Sequence, residues 1–112
     1  MSGPSEFGGI ADLLKHAREM GQQLTQMREQ LKSESFTASV GGDLVKATVN
    51  GEGELLEVEM DASLVSVDEK EMLEDLVVAA VNEARKRSQE HARKQLSALT
   101  GGIDVAGILG LS

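Results

Sequence analysis

The apolar positions divide the chain into two long helical stretches with a block of short strands between them. From Ile10 to Lys32 the apolar residues are Ile10, Leu13, Ala17, Met20, Leu24, Met27 and Leu31, at alternating intervals of three and four. That is the a/d spacing of a heptad seam, and it predicts a helix of about 24 residues, roughly 36 Å long. The stripe is narrow, so it suits one partner helix better than a broad core. Gly21 lies off the seam and costs about 1 kcal/mol relative to Ala, which seam packing outweighs.

The pattern then changes to period two. Phe36, Ala38 and Val40 alternate with Thr37 and Ser39; Val45, Ala47 and Val49 alternate with Leu44, Lys46, Thr48 and Asn50; Leu56, Val58 and Met60 alternate with Leu55, Glu57 and Glu59. Gly41-Gly42-Asp43 and Asn50-Gly51-Glu52-Gly53 are the turns between them, with glycines free to take positive φ. Each strand has one apolar and one mostly polar face, which predicts a half-buried antiparallel meander. A two- or four-residue second loop pairs apolar with apolar and sets Lys46 opposite Glu57 or Glu59.

The second helix is expected to start near Ser66 to Asp68, where Ser66 with Glu69 and Asp68 with Glu71 have capping-box spacing. Acidic residues in its first turn complement the helix dipole. It runs to about Leu99 and stops at Gly101-Gly102. Its first half is densely apolar (Met72, Leu73, Leu76, Val77, Ala79, Ala80, Val81, Ala84), its second half sparsely so. About 31 residues make roughly 46 Å of helix. A globule of this chain length has a radius of gyration of about 13 Å, a sphere roughly 34 Å across. Both helices must therefore overrun the sheet, and they can pair along the heptad seam as a projecting arm. The fold class is α+β, in the order helix, three-stranded antiparallel sheet, long helix. So small a sheet is marginal alone, and dimerisation would repair it.

Composition narrows the chemistry. The 112 residues predict one domain, residues 7–102, with residues 1–6 and 103–112 as flexible tails. Phe7 and Phe36 are the only aromatics, so base-stacking platforms for single strands are missing. There is no Cys, which removes disulfides, thiolate metal sites and cysteine catalysis and fits a reducing cytoplasm. No signal segment or membrane-length apolar run is present. Net charge is −8, but it is unevenly spread. Ten acidic residues and one Lys lie between Glu52 and Asp75, whereas Leu76 to Thr100 holds five basic residues against Glu83 and Glu90. Near a ligand, local charge within about 8–10 Å outweighs the net value.

Several segments resemble one family. Gly42-Asp43-Leu44-Val45-Lys46-Ala47-Thr48-Val49-Asn50-Gly51 resembles the G-x-LVKVTxNG segment of the YbaB/EbfC nucleoid-associated proteins. Val58 to Leu64 is similar to that family's V-x-I-D-P-S-L, Asp68 to Leu76 to its DKEMLEDL, and Ala80 to Ala84 to its A-x-N-x-A. Phe7-Gly8-Gly9 ahead of a Met- and Gln-rich helix also fits. Ala62 stands in place of the usual Pro, Val81 in place of a usual aromatic, and the tail lacks the family's Pro-rich ending. The resemblance implies a tweezer-like homodimer whose body is made by the strands and the start of the last helix, with the long helices as arms. It implies double-stranded DNA as partner, bound with broad or little sequence specificity in the nucleoid of a cytoplasm, in nucleoid organisation and gene regulation. No catalysis, cofactor, small-molecule substrate or membrane is implied.

Candidate residues follow. Arg85, Lys86, Arg87, Arg93 and Lys94 form adjacent stripes on the second helix, with Lys86–Arg93 and Arg87–Lys94 seven apart. By pattern alone they read as a solvated helix end; the resemblance makes them the phosphate-binding set. Lys15, Arg18, Arg28 and Lys32 lie off the first helix's seam and would add phosphate contacts if the helices form one arm. Leu44, Leu55, Met72, Leu73, Leu76 and Val77 are the candidate dimer interface. Gly51-Glu52-Gly53 is not a nucleotide loop, because position 56 is Leu and a strand follows. Glu57, Glu59 and Asp61 share a strand face but lack the spacing of a Ca²⁺ loop. His16 and His91 have no His or Cys at ligand spacing and are expected at the surface. No nucleophile-and-base set or metal constellation supports an enzyme. The competing reading is a coiled-coil adaptor that recruits a partner helix through its Met-rich seam.

Overall fold

The computed structural model describes the backbone of residues 3–101 and the side chains of residues 9–101. The elements are helix α1 (Gly3–Ser33), strands β1 (Ser35–Val40), β2 (Val45–Asn50) and β3 (Leu55–Met60), a 3-10 turn (Ala62–Leu64) and helix α2 (Lys70–Leu99). This is the expected helix–meander–helix order. Both helix starts differ from expectation. Helix α1 begins at Gly3, not near Ile10, so residues 3–6, expected as tail, carry helical backbone. Pro4 favours that start, because its fixed φ suits a first turn whose N–H groups have no helical partner anyway. Residues 1–2 and the tail expected at 103–112 lie outside the described residues.

Helix α2 begins at Lys70, later than the capping-box signal places it. Residues 66–70 instead make tight i→i+3 bonds, Glu69 N–H to Ser66 C=O at 3.3 Å and Lys70 N–H to Val67 C=O at 3.4 Å. Ser66 Oγ accepts a hydrogen bond from the Glu69 N–H at 3.3 Å, so the Ser66–Glu69 spacing caps a turn ahead of the regular helix. The corner where a proline would be usual is held by Asp61, whose carboxylate accepts from the Ser63 N–H at 2.9 Å. The Ser63 hydroxyl first, and its N–H second, lower the Asp61 pKa below the ordinary carboxylate value.

The sheet order is β1-β2-β3, antiparallel throughout. Phe36 faces Val49, Ala38 faces Ala47 and Val40 faces Val45. Lys46 stands opposite Glu59, one of the two expected partners. A bulge then interrupts the ladder: Thr48 pairs Glu57, but Val49 pairs Leu55, leaving Leu56 as the extra residue. Gly41, Gly42 and Asp43 turn β1 into β2 with φ of 65°, 67° and 70°, and Asp43 accepts a 2.6 Å bond from Ser39 Oγ that supports the unusual conformation. The core is a layer of small residues. Ala38 and Ala47 of the sheet and Ala80 and Ala84 of α2 are fully buried with Val45 and Val49, and this lets α2 lie close on the sheet. Phe36, Leu44, Val58, Leu73, Leu76, Val77 and Val81 rim it.

The helices meet the sheet at Asn50 and Gly51. The Gly51 N–H donates to the Leu31 carbonyl near the end of α1 at 2.7 Å, and the Ser88 hydroxyl of α2 donates to the Asn50 carbonyl at 2.8 Å. Asn50 Oδ1 accepts from the N–H groups of Glu52 and Glu54, each at 3.0 Å, and so closes the β2–β3 turn. Gly51 is required here for closeness, not for positive φ: a Cβ would come within 2.8 Å of Leu31 Cα. Gly53 alone in this turn takes positive φ, at 85°.

The molecule is elongated, 82 × 24 × 17 Å, with a radius of gyration of 21.2 Å. Overrun of the sheet is thus confirmed, but pairing along the whole seam is not. Helices α1 and α2 run antiparallel, and Gln23, Gln26, Met27 and Gln30 share a surface with Gln95, Ala98 and Leu99. Leu31 is buried, while Leu24 and Met27 are half-buried. Beyond that, Ile10, Leu13 and Met20 are 60%, 71% and 48% exposed. The cause is length: α2 ends at Leu99, closed by Gly101 at φ 72°, and residues 3–22 of α1 run on for about 30 Å.

Gly51→Ala should lower unfolding stability by about 2 kcal/mol or more, since the extra carbon meets backbone that cannot step aside. Ser88→Ala, which leaves Asn50 C=O its bond from Gly53 N–H (3.0 Å), should cost about 1 kcal/mol. Urea denaturation of the variants measures both, and the order of the two effects is the check.

Candidate nucleic-acid interface

Helix α2 buries Ala80, Ala84 and Ser88 against the sheet. At 100° per residue, Lys86 and Arg93 then project from the opposite, outward face, while Arg87 and Lys94 flank the β1 side. Arg85 lies on the other flank, and there the structure brings it together with Arg28 of α1. The two share a groove between the helices, floored by Leu31 and Ser88 and edged by Gly51, Glu52 and Gly53. Among the described residues, Glu52 is the one carboxylate on that groove. All five α2 cations are solvent-exposed, as are Lys15, Arg18, Arg28 and Lys32.

The cations are not equivalent. Arg87 is tied to the fold: its Nη1 donates to the Thr37 carbonyl at 2.7 Å, and its Nε lies 3.6 Å from Glu83. Thr37 belongs to edge strand β1, so Arg87 satisfies an outward carbonyl that would otherwise offer a pairing site. Lys32 occupies the last turn of α1, where a cation suits the dipole. Lys15 and Arg18 share exposed surface with Glu19 and Gln22 on the projecting part of α1. They lie about 15–20 Å of helix rise from Arg28 and do not join the α2 group.

The candidate dimer residues divide in the same way. Leu44, Leu73, Leu76 and Val77 pack against their own core. Leu55 and Met72 remain 45% and 50% exposed. Leu56 and Met60 on β3 are also exposed, and sequence reading did not select them; the bulge that turns Leu56 outward is not visible in an alternating pattern. The histidines also part company. His16 is exposed beside Glu19. His91, expected at the surface, is half-buried: its ring packs 5.0 Å from Phe36, and its Nε2 lies 2.6 Å from the Glu34 carboxylate, without the alignment of a hydrogen bond. The short link from α1 to β1 places Glu34 and Phe36 against α2, which spacing along the chain does not reveal.

Among the described residues no three His, Asp or Glu side chains converge as a metal site, and no helix is long and apolar enough to cross a membrane. What the surface offers is exposed cations on two helices beside an acidic sheet and helix start. That arrangement is a separation of charge, with basic helical surface on one part of the molecule and acidic surface on the other. The chain belongs to the YbaB/EbfC DNA-binding family, whose profile matches residues 7–103. It is 37% identical over 101 residues to a nucleoid-associated protein of Clostridium acetobutylicum, covering 90% of each chain. It is also 37% identical over 99 residues to a nucleoid-associated protein of Thermoanaerobacter sp., covering 88% of this chain and 89% of the relative. The fold is similar to that in the crystal structure of an uncharacterized protein from Helicobacter pylori, with a TM-score of 0.70 and 30% identity over 80% of this chain and 94% of the other.

Arg87→Ala should lower stability by about 1 kcal/mol, less than a buried charge-assisted bond contributes, because the side chain is half exposed. Lys86→Ala, with its side chain in solvent, should stay within about 0.5 kcal/mol of the parent. Thermal unfolding of the pair tests the division of the basic set into a fold-tied and an outward-facing part.

Proposed function

We propose that this chain binds double-stranded DNA as a homodimer, holding the phosphate backbone with the cations of its helical arms, with broad or little sequence specificity. Its role on this reading is nucleoid organisation and gene regulation in the cytoplasm. The family and the relatives named as nucleoid-associated proteins support it. The observation that carries it is the separation of charge. Lys86, Arg93 and Lys94 are exposed on α2, with Arg28 and Arg85 in the adjoining groove, while the acidic run from Glu54 to Asp75 lies in β3, the connections on either side of it and the start of α2; Glu52 of the same run edges the groove. Lys and Arg beside no aromatic or Asn cluster suit phosphates better than base edges. An adaptor that recruits a partner helix is favoured by the exposed Ile10 and Leu13; it would leave duplex DNA unbound.

Fluorescence anisotropy with two unrelated duplexes over a range of salt tests the reading. If each arm neutralises two to four phosphates, log K falls against log salt with a slope of about −4 to −7. Replacing Lys86, Arg93 and Lys94 together by Gln should weaken binding to both duplexes alike and flatten the slope by about 0.9 per lost contact. Unchanged affinity places the site elsewhere, and loss on one duplex alone means base reading.

The dimer is assigned to edge strand β3 and the start of α2. Leu55, Leu56 and Met60 leave apolar surface beside an unpaired strand edge, a template for a second chain. Light scattering should give twice the 11.9 kDa chain mass. Leu56→Glu with Met72→Glu should halve that mass while helix content stays, because both residues are exposed in the single chain. A parent mass of one chain overturns the dimer.

A further inference from the structure

The groove between the helices brings together opposite charges that do not neutralise each other. Arg28 of α1 and Arg85 of α2 line it, and Glu52 of the β2–β3 turn stands on its edge. All three residues are exposed. Among the described residues no ion pair ties Arg28 or Arg85 to a carboxylate, and none uses Glu52. Arg87 differs in being engaged by Glu83 and the Thr37 carbonyl.

The backbone that carries Glu52 is fixed. The Glu52 N–H donates to Asn50 Oδ1 at 3.0 Å. On either side of it, the Gly53 N–H donates to the Asn50 carbonyl at 3.0 Å and the Gly51 N–H to the Leu31 carbonyl at 2.7 Å. Asn50 and Gly51 are buried. The carboxylate therefore cannot leave the groove by movement of its turn, whereas the two arginines have long side chains free to meet a ligand.

Guanidinium groups from two helices suit one phosphate held between them, because each offers planar paired donors to anionic oxygens. A carboxylate on the same edge carries the charge sign of the phosphate and seeks the same donors. Two like charges about 5 Å apart in water repel enough to change affinity about fourfold. Carboxylates farther away are screened over about 8 Å at physiological salt.

We propose that Glu52 sets the strength of phosphate binding in the Arg28–Arg85 groove, by competing with the phosphate for the two guanidinium groups. The inference rests on the DNA-binding reading for the source of the phosphate and on the groove itself for the residues. A site weakened in this way releases its duplex quickly, since affinity differences within one interface fall mainly on the off-rate.

Fluorescence anisotropy with one duplex at low salt compares the full chain with Glu52→Gln and with Glu54→Gln. Both variants lose one negative charge, but Glu54 does not line the groove. Glu52→Gln should tighten binding about fourfold and Glu54→Gln less than about twofold, with the unfolding midpoint unmoved in both. In a chain carrying Arg28→Gln and Arg85→Gln, the gain from Glu52→Gln should vanish. Equal gains from Glu52→Gln and Glu54→Gln, or a gain that persists without the two arginines, overturn the proposal. Titration with pyrophosphate, read at the Nε–Hε resonances of Arg28 and Arg85, separates the groove from DNA. Pyrophosphate bound more tightly by Glu52→Gln than by the parent, with no duplex bound by either, supports the proposal for the groove and overturns the DNA-binding reading. Equal pyrophosphate affinity in the parent and Glu52→Gln overturns the proposal even where duplex binds.

Discussion

Gly51 lets the backbone of the β2–β3 turn touch the backbone of α1, and the rest of the architecture depends on that contact. The Gly51 N–H and the Leu31 carbonyl meet at 2.7 Å, and one residue earlier the Asn50 carbonyl takes the Ser88 hydroxyl at 2.8 Å. One turn thus fixes both helices to the sheet. Elsewhere the attachment is unequal. Helix α2 is spread over the sheet through Ala80 and Ala84, but α1 is anchored only near its C-terminal end, at Leu31. Everything in α1 ahead of that anchor projects as arm, and the orientation of the arm is set where Leu31, Asn50, Gly51 and Ser88 meet.

The same geometry changes what the net charge means. A chain of charge −8 repels DNA at long range if the charge is spread evenly. Here the molecule is 82 Å long, and charges in water are screened over about 8 Å at physiological salt. The carboxylates of β3 and the start of α2 act on their own surroundings and leave the field of Lys86 and Arg93 little affected, whereas Glu52 edges the Arg28–Arg85 groove. On the proposed function, the acidic body disfavours phosphate at the sheet and leaves the helices as the surface for DNA. Arg87 marks the boundary between the two parts, since its bond to Thr37 places it in the scaffold.

Most of the fold was legible from periodicity, because the elements are longer or more regular than their exceptions. The change from heptad spacing to alternation located all three strands, and the Lys46 register followed from matching faces. Three things were not legible. The bulge at Leu56 leaves an ordinary alternating pattern, so the exposure of Leu56 was hidden. The heptad seam announced a partner but not its length, and α2 stops short of covering Ile10 and Leu13. Gly51 read as a turn glycine, whereas its role is contact with a helix distant in sequence. For the interface, the stripes at Lys86–Arg93 and Arg87–Lys94 were evident from spacing. That Arg28 and Arg85 line one groove while Arg87 bonds a strand carbonyl depends on how α1 crosses α2, which no local pattern encodes.

On the proposed function, DNA meets the helices and avoids the sheet. A footprint by amide chemical-shift perturbation, with isotope-labelled protein and a short duplex at low salt, tests it residue by residue. The largest shifts are expected at Arg85 to Lys94 and at Arg28 to Lys32, with residues Glu54 to Asp75 nearly still. Shifts concentrated on β3 and the start of α2 would contradict it.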